Sequence, residues 1–403
     1  MSISVEPWIQ RLRRGLPLAA AASLALPVAI SSVALVAVGG WFVLGGDYRG
    51  KWLRIRGSRT SLAALLFLAV CLLGVAHGSA DWASALERLQ KYSKLLLVPM
   101  LVTMVDDTVD QRRALDAVLL GALLALAVSY LRLFGVLKPY FIGEEYSAFH
   151  DRIGFGVIEA FAAFVMAARA WRQRGDGWGW GWGLGAALAA VDVLMVNTGR
   201  TGWVVLFALL ALLWWQRRGW RGLLVAGVVL SLLGGLAFAL SGVTRLRVRE
   251  SVQNLVAYAH GSDQTSVGER LNFDRSGLRF FLRHPLLGSG TGSYAFDYRA
   301  AAGGGYGAPT DNPHDSYLLV AAEQGVVGLL ALLSVYAVAW RESLSRSGEA
   351  REVLQALVVT LLVSGLFNSS LLDAASGRLF VVVAGILLAV ATPGGAGAAA
   401  RRG

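Results

Sequence analysis

The segment Asp311-Asn312-Pro313-His314-Asp315-Ser316 leads straight into a long apolar run, and its histidine is the first residue with chemistry to offer. A neutral imidazole near pH 7 is suited to taking a proton from a hydroxyl, and Asp315 or another carboxylate would orient it. A lone histidine is more often structural than catalytic, so its companions decide. In Asn197-Thr198-Gly199-Arg200-Thr201-Gly202 an arginine stands between two apolar blocks with almost no loop. Two readings of Arg200 are open: a side chain snorkelling to lipid phosphate, or a guanidinium fork fixed on a substrate phosphate. The flanking glycines favour the second, since they let backbone and ligand come close. Arg270, in Ser266-Val267-Gly268-Glu269-Arg270-Leu271, is expected to precede a short amphipathic helix and to meet ligand. Arg275, Arg279 and Arg283 on the stretch from Phe273 to Leu282 and just beyond it divide between that role and an interfacial helix on anionic lipid. Asp373, closing Asn368-Ser369-Ser370-Leu371-Leu372-Asp373, either pairs with an arginine or positions an acceptor hydroxyl.

The elements that must position these residues are membrane helices. The chain has 403 residues, 56% hydrophobic and only 16% charged, with mean hydropathy +0.56; a soluble domain carries about a quarter charged residues. A hydrocarbon core of about 30 Å needs roughly 17–25 apolar residues per helix. Spans are expected at 15–28, 31–46, 61–78, 94–106, 114–135, 154–171, 180–199, 201–216, 222–243, 317–340, 352–371 and 377–393. The fold class is therefore an all-α integral membrane protein of about twelve transmembrane helices, with one large external loop carrying short helices. Helices occupy 1–243 and 317–403, and the loop covers 244–316. The net charge of +11 sits in short runs between apolar blocks, including Arg112-Arg113, Arg217-Arg218 and Arg401-Arg402. That distribution argues against nucleic acid and for loops held in the cytoplasm, with both termini inside. It leaves His314, Arg200 and Arg270 on the opposite, external side, and no cleavable signal peptide is evident. A single Cys71 in an apolar run and five scattered histidines offer no disulfide framework and no metal site. Trp178, Trp180 and Trp182 read as interfacial anchors, and the glycines between and after them as helix-packing positions. A transporter, flippase or channel would need internal repeats or charged helices near the bilayer midplane. Asp192 and Glu159 are the only carboxylates well inside spans.

The run His314-Asp315-Ser316-Tyr317-Leu318, with Gly325 seven positions further on, resembles the motif of the O-antigen ligase superfamily. The preceding His284-Pro285-Leu286-Leu287-Gly288-Ser289-Gly290-Thr291-Gly292-Ser293-Tyr294 and the break at Gly199-Arg200 also look like that family, as does the late single loop. The family often has Asn, Ser or Gln where this chain has Asp315. The resemblance implies an inverting glycosyltransferase of the bacterial inner membrane, active at its periplasmic face in lipopolysaccharide biosynthesis. Its donor would be a polysaccharide on undecaprenyl diphosphate, and its acceptor a sugar hydroxyl of lipid A–core. Carried onto this chain, His314 is the base. Arg200 and Arg270 hold the diphosphate and take the place of a metal ion, and Arg152 joins them. Lys94, with Lys91, falls on the same face. No cofactor is implied. Within the family, an O-antigen polymerase or a protein O-oligosaccharyltransferase would share the chemistry and differ in acceptor.

Overall fold

The computed structural model describes residues 7–139, 146–175, 177–260, 265–302 and 310–389, which fold into helices with no strand among them. In chain order these are α1 (Pro7–Ala22), α2 (Val28–Leu44), α3 (Tyr48–Gly57), α4 (Arg59–His77), α5 (Trp82–Ser93), α6 (Leu97–Val102), α7 (Thr108–Leu133), α8 (Arg152–Arg172) and α9 (Gly177–Val191). Then come α10 (Arg200–Arg218), α11 (Trp220–Leu240), α12 (Gly242–Ala259), α13 (Ser266–Arg283), α14 (Ser293–Ala302), α15 (Ser316–Leu344), α16 (Gly348–Ser364) and α17 (Ala374–Leu387).

Among the described residues, six helices are long and apolar enough to cross a membrane, or seven if α2 and α3, bent by 118°, form one span. They are α4, α7, α8, α9 with its π-helical extension to Val196, α11 and α15. The other expected spans also coincide with helices, but shorter or more polar ones. At 94–106 a 3-residue 3-10 turn is followed by the 6-residue α6, too short to cross. Residues 390–393 of the last expected span and the pair Arg401-Arg402 lie outside the described residues.

The bundle is organised around α8, which packs on α9, α10, α16 and α17 and buries Phe155, Phe161 and Phe164 completely. Its C-terminal turn carries Arg169, which binds Asp116 at 2.5 Å and Glu349 at 2.6 Å; beside it Arg172 and Arg217 converge on Glu352. Cations at helix C-termini complement the macrodipole. The other end of α8, where Arg152 stands, gathers the starts of α10 and α17.

Helix α15 is broken inside the bundle. Gly325 has φ 64°, a left-handed conformation that suits glycine, and the break interrupts the helical hydrogen bonds. The Pro285–Thr291 strand of chain runs alongside and replaces them. Ser289 and Gly290 N–H donate to the carbonyls of Ala322 and Glu323 at 2.9 and 2.8 Å, and Val326 N–H donates to Pro285 O at 2.8 Å. Irregular backbone at this depth is tolerated because protein surrounds it. Gly290, at φ 93°, lies so close to α4 that a Cβ there would stand 2.1 Å from Gly78 Cα. The late loop is thus partly a packing element, which its sequence alone did not suggest.

Candidate functional site

His314 sits at the start of α15 with φ 59°, rare for a residue with a side chain. The conformation is held from outside: Asn312 Oδ1 accepts from His314 N–H at 2.9 Å and from Ser369 Oγ at 3.1 Å. The imidazole hydrogen-bonds the Asn368 side chain, and its ring centroid lies 6.2 Å from that of Phe273. Burial, and then the nearby Arg270, lower its pKa from the ordinary histidine value, against opposing pulls from Asn368 and Asp311. The ring is therefore neutral at pH 7, with a lone pair available.

Asp315 does not orient it. Its carboxylate caps α15, accepting from Tyr317 N–H at 2.7 Å and Leu318 N–H at 2.8 Å. That is the ordinary use of Asp at an N-cap, and Asp315 is not among the groups that act on the imidazole. The orienting group is Asn368, in the Asn-Ser-Ser segment whose position was legible but whose partner was not.

The arginines come together by helix starts. Asp151 caps α8, accepting from Ile153 and Gly154 N–H, and places Arg152 in the first turn. Asn197 Nδ2 donates to Arg152 O at 3.0 Å, and a Cβ on Gly199 would stand 2.3 Å from that same oxygen. The glycine beside Arg200 therefore serves close packing of α10 on α8, which sets Arg200 next to Arg152. Arg270 lies inside α13, not ahead of it: the helix begins at Ser266, where Thr265 Oγ1 accepts Gly268 N–H at 3.0 Å. The apolar pattern from Phe273 onward hid that polar first turn.

Burial, then Arg200 and Arg152, lower the pKa of Arg270; burial, Arg247 and Arg152 lower that of Arg200. Guanidinium groups close together depress one another in this way. Arg200 donates to Ser251 Oγ at 2.8 Å and lies 3.9 Å from Glu250, which also pairs with Arg247 at 2.8 Å. Asp274 is the other nearby acid, its carboxyl pushed up to about 6 by burial and Asp315. Among the described residues Arg152, Arg200, Arg247 and Arg270 thus gather with Glu250 and Asp274 beside the positive ends of α8 and α10. Arg247, Glu250 and Ser251 come from α12, a polar helix with no apolar stripe to announce it.

Lys94 and Asp373 form a separate group. Lys94 Nζ donates to the carbonyls of Leu372 and Asp373 at 2.7 and 2.8 Å. The Asp373 carboxylate caps α17 through Ala375 and Ser376 N–H, and no arginine lies within ion-pair distance of it among the described residues. Arg378, one turn on, crosses to α2 and bonds Val28 O and Ser32 Oγ, both at 2.9 Å, and Ser31 Oγ.

One buried pair was missed in the sequence. Arg88 of α5 and Glu323 of α15, 4% and 0% exposed, stand 3.2 Å apart, and Arg88 Nη2 also donates to Asp311 O at 2.5 Å. Arg88 therefore ties the broken helix to the His314 loop. Among the described residues no group of three or more His, Cys, Asp or Glu side chains is placed to hold a metal ion.

A chain of a solved peptidoglycan synthase complex is similar to this one at TM-score 0.47 and 18% identity, over 82% of this chain and 96% of that chain. No curated protein matches. The family model described as O-antigen ligase matches residues 184–333, a stretch that contains Arg200, Arg270, the Pro285–Thr291 insertion, His314 and Gly325. Over that stretch the chain is similar to the O-antigen ligase family.

Proposed function

We propose that this protein is an O-antigen ligase, transferring a polysaccharide from undecaprenyl diphosphate to a sugar hydroxyl of lipid A–core at the periplasmic face of the inner membrane. The observation that carries the reading is the neutral, Asn368-bonded His314 beside Arg270, itself close to Arg200 and Arg152. Arg152, Arg200 and Arg270 would bind the donor diphosphate, with Arg247 reinforcing Arg200. The acceptor oxygen attacks the anomeric carbon while its proton passes to His314. The bond from that carbon to the diphosphate breaks, and the electron pair leaves on the diphosphate oxygen, where the guanidinium groups stabilise the growing charge. A single displacement inverts the anomeric centre. The arginines supply the cationic stabilisation that a metal ion gives elsewhere. Lys94 and Asp373 act one step removed, fixing the segment that presents Asn368. Arg169 and Arg172 at the C-terminal end of α8, with Arg217 and Arg218 at that of α10, fit the cytoplasmic side, so the His314 end would face the periplasm.

The test is reconstitution. Purified protein in liposomes, given lipid-linked polysaccharide and lipid A–core, should yield polysaccharide-capped lipid A–core with inverted linkage. Lengthened donor with no capped product would instead assign a polymerase, and no transfer to either lipid would refute the reading.

A further inference from the structure

A second feature adjoins the His314 loop. A cleft of about 580 Å³ runs between α2, the α5–α6 segment and α17. Lys91, Lys94 and Arg378 line one end with Ser32, and Leu35, Val36, Gly39, Leu97 and Met100 continue it as an apolar channel. Val33 and Val36 beside it are more than two-thirds exposed, as befits a face that meets lipid chains. A Cβ on Gly39 would meet no atom within 4 Å, so the channel is open where the helix lacks a side chain. The basic end is wired to the base: Lys91 Nζ, paired with Glu87 at 2.9 Å, lies 3.3 Å from Asp311 Oδ2, and Lys94 holds the carbonyls of the segment that carries Asn368. Each cation retains donors beyond those it spends on protein, since an ammonium has three and a guanidinium five.

Resting on the transferase reading above, we infer that this groove seats the acceptor: a phosphorylated, acylated glycolipid. Its phosphate lies among Lys91, Lys94 and Arg378, and one acyl chain lies along α2 past Gly39. Donors and shape both match: ammonium and guanidinium N–H groups at the head, joined to a lipid-facing apolar channel. Donor and acceptor then have separate sites, both adjoining the His314 loop. That placement also gives work to the Ser31-Ser32 pair, which anchors Arg378 to the groove wall.

Gly39→Phe fills the channel in open space, and Gly40→Phe adds the same ring on the same helix outside it, where again no atom lies within 4 Å. In reconstituted transfer, Gly39→Phe should raise the KM for lipid A–core about tenfold and leave the donor KM unchanged, with Gly40→Phe like wild type. A photo-crosslinking amino acid at Val36 should label lipid A, with competition from unlabelled lipid A but not from phosphatidylglycerol. Equal competition by the two lipids, or wild-type kinetics in Gly39→Phe, overturns the groove. If wild type transfers nothing, the transferase reading falls by itself and the crosslinking alone decides the groove.

Discussion

Replacing Arg88 by Met isolates the contact that ties the broken helix to the His314 loop. Arg88 Nε lies 3.2 Å from Glu323 Oε1, with both side chains almost fully buried. At that separation two unit charges attract by about 5 kcal/mol at an effective dielectric of about 20. Desolvation offsets much of that gain, but deleting one partner strands the other charge and costs about 3–5 kcal/mol. Arg88→Met should therefore lower Tm by on the order of 5 °C or more, and Glu323→Gln somewhat less, because the amide keeps its shape. The double variant Arg88→Met/Glu323→Leu should recover most of the loss, since an apolar pair leaves no charge uncompensated. Activity adds a second readout. Arg88 also donates to Asp311 O, so the single variant should lower kcat about tenfold through looser placement of His314. The assay is thermal unfolding in micelles for all three variants, with transfer rates measured below the lowest transition. Wild-type Tm in both single variants, or a double variant that loses the sum of the two, would refute the pairing.

Arg270→Gln removes a positive neighbour of His314, so the imidazolium becomes easier to form. The acidic limb of the pH–rate profile, which in wild type lies below the usual histidine value of about 6.5, should move to higher pH, with kcat/KM down about 10²-fold. Asn368→Ala acts in the opposite sense: loss of its hydrogen bond disfavours the imidazolium, so the limb should move to lower pH while kcat falls about tenfold. A shift of either limb the wrong way would contradict the placement of these groups. Gly290→Leu drives a side chain into the Gly78 backbone, and should abolish recovery of folded protein from membranes, as judged by size-exclusion profile.

Much of this site was legible before any coordinates. His314, Arg200, Arg152 and Arg270 stand out because charged residues at apolar boundaries are rare, and the structure brings all four into one neighbourhood. The all-helical fold followed from bilayer-length apolar blocks. What stayed hidden depended on contacts distant in sequence. Asn368 meets His314 from another helix pair, and an amide has no signature that separates an orienting group from a turn residue. Arg88 carries no signal of its own in the sequence, because its partner Glu323 lies 235 residues later. The short apolar helices α6 and α17 bury their hydrophobic faces against other helices, and composition does not separate that burial from lipid. The Pro285–Thr291 stretch was read as loop because its glycines suggest turns. Only the break at Gly325 shows that those glycines let two backbones pair.

The most direct test of the chemistry is a single-turnover transfer by His314→Ala with saturating donor and lipid A–core. The alanine variant should bind the undecaprenyl-diphosphate donor with wild-type affinity and transfer about 10²–10⁴-fold more slowly. An alanine variant that transfers at the wild-type rate would show that His314 is not the base.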